Sequence, residues 1–187
     1  MKLYHGSDQA IEQPDVSRNT GFADLGRGFY LTDDLETARQ RAISRARKVG
    51  ADSGTVSTYE FDEDALPWAT WDEAGLSAPT GQPWQSGSPF GLRFGASHAG
   101  IAAWANFIRS CRRASTAAGD LGEPDVVRAW IATEEVEMIC SGFAPADAMA
   151  EFIDPSQLVV QYCFRSQETL GRLLKFTGAE AGAIAHL

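Results

Sequence analysis

The sequence predicts a mixed α+β fold in a single domain, and three observations predict it. Stretches with a period of two and stretches with a period of 3.6 alternate along the chain. Their order is strand, strand, helix, strand, a long insertion, helix, strand, strand, helix, which does not give the regular strand–helix alternation of a parallel sheet. The chain has 187 residues, 44% of them apolar and 22% charged, enough for one hydrophobic core and too few for two full domains.

Each element has its own local signal. "KLYHGS" at 2–7 alternates, with Leu3 and His5 on one face and Lys2 and Tyr4 on the other, and Gly6 ends the run. Residues 8–25 read as a loop. "GFYLT" at 28–32 reads as a second strand, entered through Gly26 and Gly28. Asp33 or Asp34 caps a helix that runs to about residue 49 and ends at Gly50. Its stripe is Leu35, Ala38, Ala42, Ala46 and Val49, and Arg41, Arg45 and Lys48 share another face. "TVSTYEFDE" at 55–63 is rich in β-branched and aromatic residues and reads as a strand. Residues 67–97 hold four prolines and Trp68, Trp71 and Trp84, keep neither period, and read as a long loop insertion. Ser97 caps a helix to 113, with Ile101, Trp104, Ile108 and Cys111 on one side. "DVVRAWIAT" at 125–133 reads as a strand, and the acidic segment after it fits neither period. "QLVVQYCF" at 157–164 is a strand, followed by a helix capped by Ser166. The small-residue tail, 177–187, reads as frayed.

Composition excludes several function classes. A formal net charge of −9 disfavours sequence-independent nucleic-acid binding, which needs clustered Lys and Arg. The three cysteines, Cys111, Cys140 and Cys163, are widely spaced and form neither a zinc-ligand pattern nor a disulfide framework, so no metal is expected. No apolar run approaches the ~18 residues of a membrane span, and the N-terminus lacks a signal-peptide pattern. A cytoplasmic protein is expected.

Three short fragments carry chemistry. Taken singly, each has a plain structural explanation. A strand histidine such as His5 is more often structural than catalytic, a GxG before a strand serves the backbone, and Tyr30 is by default a core aromatic. Gln161 shares a face with Val159, Cys163 and Arg165, where it reads as a solvent-facing glutamine on a half-buried strand. The basic stripe on the first helix is by default a solvated face, and the insertion tryptophans either form a lid or pin the loop.

Together, "LYHGS", "GRGFYLTDDLETA" and the late "VVQYCF" resemble the ADP-ribosyltransferase superfamily of the diphtheria-toxin and poly(ADP-ribose) polymerase type. More narrowly, they resemble a small bacterial family with this fold, often encoded beside an antitoxin-like protein. The resemblance covers roughly residues 1–45 and 155–176. It implies split mixed or antiparallel sheets with flanking helices, and NAD as a consumed substrate with no metal. It also implies site residues. His5 would hydrogen-bond the adenosine ribose, the Gly6 backbone would bind the nicotinamide carboxamide, and Tyr30 would lie against the nicotinamide ring. Ser7 and Thr37 would add hydroxyl contacts, and Gly28 belongs to the glycine motif. Apart from the resemblance, the alternative to a solvated face for the stripe Arg41, Arg45 and Lys48 in so acidic a chain is to receive the NAD pyrophosphate or an acidic partner.

Two positions depart from the family pattern. Gln161 stands where the polymerases carry a glutamate, and it supplies a hydrogen bond without a charge. No aromatic follows Tyr30 at the spacing that would close a second ring over the nicotinamide; Arg39, Gln40 and Arg41 occupy that stretch. The resemblance therefore implies a mono-ADP-ribosyltransferase, a toxin component acting on a macromolecular target, more readily a protein than a nucleic acid. Two other readings stand beside it: a catalytically silent NAD or ADP-ribose binding module, and an NAD glycohydrolase.

Overall fold

A computed structural model describes residues 1–18, 23–80, 88–113 and 123–183. The chain order is β1 (Lys2–Ser7), β2 (Phe29–Thr32), α1 (Leu35–Val49), β3 (Ser53–Phe61), β4 (Trp68–Asp72), β5 (Gly75–Thr80), β6 (Gly91–Phe94), α2 (His98–Arg112), β7 (Val126–Trp130), α3 (Glu134–Cys140), α4 (Ala146–Ala150), β8 (Val160–Phe164), α5 (Gln167–Leu173) and β9 (Leu174–Ala183). The fold is α+β. The strands form one mixed sheet in the order β5-β4-β6-β7-β8-β2-β1-β3-β9.

The sheet has a seam. β1 pairs with β3 along its whole length, from Lys2↔Glu60 to Ser7↔Thr55. β2 pairs with β8 from Phe29↔Phe164 to Thr32↔Gln161. Between β1 and β2 there is a single pair, Tyr4↔Thr32. The resemblance implies split sheets; the structure has instead one continuous sheet with a seam, where the two strands part as β1 runs on through His5.

Cross-strand partners share a face, so Tyr4 and Thr32 lie on the same side of the sheet, together with Tyr30 and Gln161. Helix α1 packs on that side against β1 and β3, and α2 with α3 and α4 packs on it across the other half. The groove between them lies over the seam. The opposite face is closed by Leu3, Phe29, Leu31, Tyr59, Phe61, Tyr162 and Phe164 under α5.

Helix α1 sits very low on the sheet. Asp34 caps it by accepting the Thr37 N–H at 2.6 Å, and Gly50 ends it at φ 71°. Its buried stripe is Ala38, Ala42 and Ala46, while Val49 is exposed. A Cβ on Gly6 would lie 2.0 Å from the Ala38 carbonyl oxygen, so only a bare backbone lets the helix descend this far.

Two expectations are corrected. Residues 67–97 are not a loop insertion: they carry β4, β5 and β6. β4 and β5 form a hairpin turning at Gly75 (φ 87°), and β6 runs parallel to β4 and β7. Adjacent Trp68 and Ala69 are both buried, so no alternation marks the strand. Pro79 lies in β5, the outermost strand, where a missing N–H breaks no inner ladder. The Trp68 ring lies against Gly91, and Trp71 packs on the core; both pin the segment rather than cover the groove. Trp84 lies outside the described residues.

The tail is not frayed over 177–183. It forms β9, paired along β3 from Phe61↔Leu174 to Ser53↔Ala183, and Phe176 meets Tyr59 edge-on at 5.8 Å. Its glycines and alanines have little strand preference of their own; β3 supplies the template. Residues 184–187 lie outside the described residues.

The acidic segment resolves into α3 and α4. Gly142 (φ 81°) closes α3, with the Phe143 N–H on the Met138 carbonyl and the Gly142 N–H on the Ile139 carbonyl.

Candidate functional site

The groove over the seam is a cleft of about 680 Å³. His5, Gly6, Tyr30, Thr37, Arg41 and Gln161 all line it. A second cavity of about 500 Å³ adjoins it and shares His5, Gly6, Tyr30, Arg41 and Arg45 with it. Ser7 and Gly28 line only this second cavity. Every expected site residue therefore meets one of two joined cavities, with His5 and Tyr30 at the waist.

His5 is on the strand face of Leu3, beside the seam, and lines both cavities. The ring stacks on Phe29 at 4.5 Å, and Nδ1 lies 2.7 Å from the Tyr30 carbonyl oxygen. A carbonyl only accepts, so Nδ1 carries the proton and donates. The other nitrogen, Nε2, is then an acceptor when the ring is neutral. Burial pushes the His5 pKa below its usual 6.5, more strongly than the Tyr30 carbonyl and Asp8 raise it. His5 is neutral at pH 7 and offers one lone pair.

Tyr30 is half-buried. Its hydroxyl donates to the Gly26 carbonyl at 2.6 Å and accepts the Leu25 N–H at 2.9 Å. Burial raises its pKa, so it stays protonated. The phenol tip is thereby committed to holding the Leu25–Gly26 turn, and the ring is what it presents to the cleft.

Gln161 is 8% exposed, not solvent-facing. Strand β8 has neighbours on both sides, β7 and β2, and both of its faces are covered. The Gln161 Nε2 donates to the Trp130 carbonyl at 3.1 Å, which fixes the amide orientation. Oε1 has no hydrogen-bond partner among the described residues and belongs to the cleft wall.

The two glycines have packing reasons. Gly6 admits α1, as above. A Cβ on Gly28 would lie 2.4 Å from the Phe164 carbonyl oxygen and 2.6 Å from the Cys163 sulfur, so Gly28 lets the chain enter β2 tight against β8. Ser7 is buried and donates to Asp8, which also takes Arg45 at 3.2 Å. Arg41 is exposed at the waist and makes no ion pair among the described residues. No group of three or more metal-ligating side chains occurs among the described residues.

The structure adds three site residues that the sequence did not single out. Arg112, near the end of α2, bonds Asp24 before β2 and Glu137 of α3, and all three line the cleft. They lie 88 and 25 positions apart from Arg112 respectively. The one sequence signal was the acidic run at 134–137, which by itself has no stated partner.

A family model described as a protein of unknown function, DUF3990, matches residues 1–71. That span holds β1, β2, α1 and β3, with His5, Gly6, Ser7, Gly28, Tyr30, Thr37 and Arg41; Gln161, Arg112 and Glu137 lie beyond it. No curated protein and no solved structure matches the chain.

Proposed function

We propose that the joined cavities bind NAD and that the protein transfers ADP-ribose from it to a macromolecular acceptor, releasing nicotinamide. The observation that carries this is the assembly of His5, Tyr30 and Gln161, from opposite ends of the chain, around one cleft opened by a seam in the sheet. The His5 Nε2 accepts a hydrogen bond from an adenosine ribose hydroxyl. Arg41 meets the pyrophosphate, and the Tyr30 ring lies against the nicotinamide, with Thr37 and the Gly6 backbone near its carboxamide. Gln161 Oε1 accepts from a hydroxyl of the second ribose. In the reaction the bond between ribose C1′ and the pyridinium nitrogen breaks and its electron pair neutralises the nicotinamide. The acceptor adds to C1′ and gives up its proton to solvent. By the family resemblance, the protein is a bacterial toxin component held by an antitoxin-like partner in the cytoplasm; no helix among the described residues is long and apolar enough to cross a membrane.

Nicotinamide release by the purified protein, with and without cell lysate and beside His5→Ala, tests this. Release that needs both lysate and His5 is expected of a transferase. Release without lysate, with ADP-ribose accumulating free, identifies a glycohydrolase. Gln161, uncharged and tied to Trp130, favours a second reading, a silent NAD-binding module. No release, with NAD still bound, selects that module.

A further inference from the structure

We propose that the ion-paired cluster Asp24–Arg112–Glu137 is the anionic pole of the cleft and holds the positively charged pyridinium end of an oxidised dinucleotide. The inference rests on the reading of the cleft as an NAD site, and it supplies the negative charge that Gln161 does not.

The cluster is built as a unit. Arg112 Nε and Nη2 donate to Asp24 Oδ1 at 3.0 and 2.7 Å. Its Nη1 and Nη2 donate to Glu137 Oε2 and Oε1, both at 2.7 Å. The guanidinium is mostly buried. Two carboxylates on one guanidinium leave a net negative charge. The Arg112 bond keeps the Glu137 carboxyl below its usual pKa, so that charge persists at pH 7.

Its place in the cleft is equally specific. Asp24 adjoins the Leu25–Gly26 turn that the Tyr30 hydroxyl holds, so the cluster lies next to Tyr30 on the first-cavity side of the waist. Asp24, Arg112 and Glu137 line the first cavity and not the second. Arg41 and Arg45 line both, at the waist. The cleft thus runs from a cationic waist to an anionic end. NAD has the same sequence of charge: an anionic pyrophosphate in the middle and a cationic pyridinium at one end. NADH and ADP-ribose share the pyrophosphate and lack the cation. When the ring–sugar bond breaks, positive charge shifts onto the adjoining ribose, and the same pole faces it.

The test is a calorimetric titration of the full chain with three ligands: ADP-ribose, and the carbocyclic analogue of NAD, whose ring–sugar bond does not break, in oxidised and reduced forms. The wild type is expected to prefer the oxidised form about tenfold, the order expected of one net charge roughly 10 Å away at the effective permittivity of a protein surface. Glu137→Gln and, separately, Asp24→Asn each bring that ratio close to one, and retained binding of ADP-ribose, no weaker than in the wild type, is the control for folding. Equal wild-type affinity for the two forms overturns the proposal, as does a ratio that survives both substitutions. If none of the three ligands binds, the reading of the cleft as an NAD site fails instead.

Discussion

His5 donates its Nδ1–H to the carbonyl of Tyr30 across the seam, at 2.7 Å. The side chain of one strand thus takes up a backbone acceptor of its neighbour where the two strands share only one pair. The bond fixes the tautomer, and with it the chemistry of the nitrogen left over.

The burial of His5 has a pH signature. Burial holds the folded His5 pKa below 6.5, so the unfolded chain takes up the proton first. The stability contribution is full above pH 6.5 and is lost as pH falls through the lower, folded value. Melting temperatures between pH 8 and pH 5 are expected to drop in the wild type and to drop less in His5→Asn, which carries no titrating ring. Parallel curves for the two proteins would show that His5 is not the group responsible.

Gly6→Ala forces a methyl to within 2.0 Å of the Ala38 oxygen and 2.6 Å of the Ala42 nitrogen, both backbone atoms. Helix α1 must lift, at a cost of roughly 3 kcal/mol or more. Gly171→Ala is the contrast. It lies within α5 with nothing inside 4 Å of the added carbon, and it is expected to gain about 0.5–1 kcal/mol. Urea denaturation of the two variants should move in opposite directions.

Gln161→Glu replaces an N–H donor with an oxygen facing the Trp130 carbonyl. Two acceptors then confront each other in a buried place, costing about 2 kcal/mol. Protonation restores a donor, so the folded pKa of the new carboxyl is raised. The penalty is therefore present at pH 8 and relieved as pH falls through that value. Denaturation midpoints at pH 8 and pH 5, compared with those of the wild type, check this; an equal loss at both would place the carboxylate elsewhere.

Tyr30→Phe keeps the ring and removes two hydrogen bonds from the Leu25–Gly26 turn. Stability should fall by about 1–3 kcal/mol. Ligand affinity in the cleft should change only a few-fold, because the ring remains. Tyr30→Ala should lose both. Calorimetric titration with ADP-ribose, beside thermal melts, separates the two effects.

What the sequence made legible follows the range of the interactions. The caps Asp34, Ser97 and Ser166 act within three residues, and all three helices begin where those residues stand. The alternation at β8 placed Gln161 on the face of Cys163, and the structure keeps it there. That alternation could not tell that α2 and α3 cover this face, so the glutamine is buried. β9 had no local signal because its order comes from β3, more than a hundred positions earlier. The Asp24–Arg112–Glu137 cluster failed for the same reason: each member is an ordinary surface charge until the fold brings the three together.

The strand order also dictates when the cleft can come into being during synthesis. β1 and β2 are made first, yet the outer neighbour of β2 is β8 and that of β3 is β9, from residues 160–183. The wall bearing His5 and the wall bearing Gln161 cannot be set against each other on a growing chain until that last stretch has left the ribosome. Before then, the apolar faces of β1, β2 and β3 have no lasting cover, which leaves nascent chains open to aggregation and to capture by chaperones. A chain cut short before residue 160 would hold every residue of its first motifs, but it would lack Gln161 and the strand that pairs with β2 and sets Tyr30 in place.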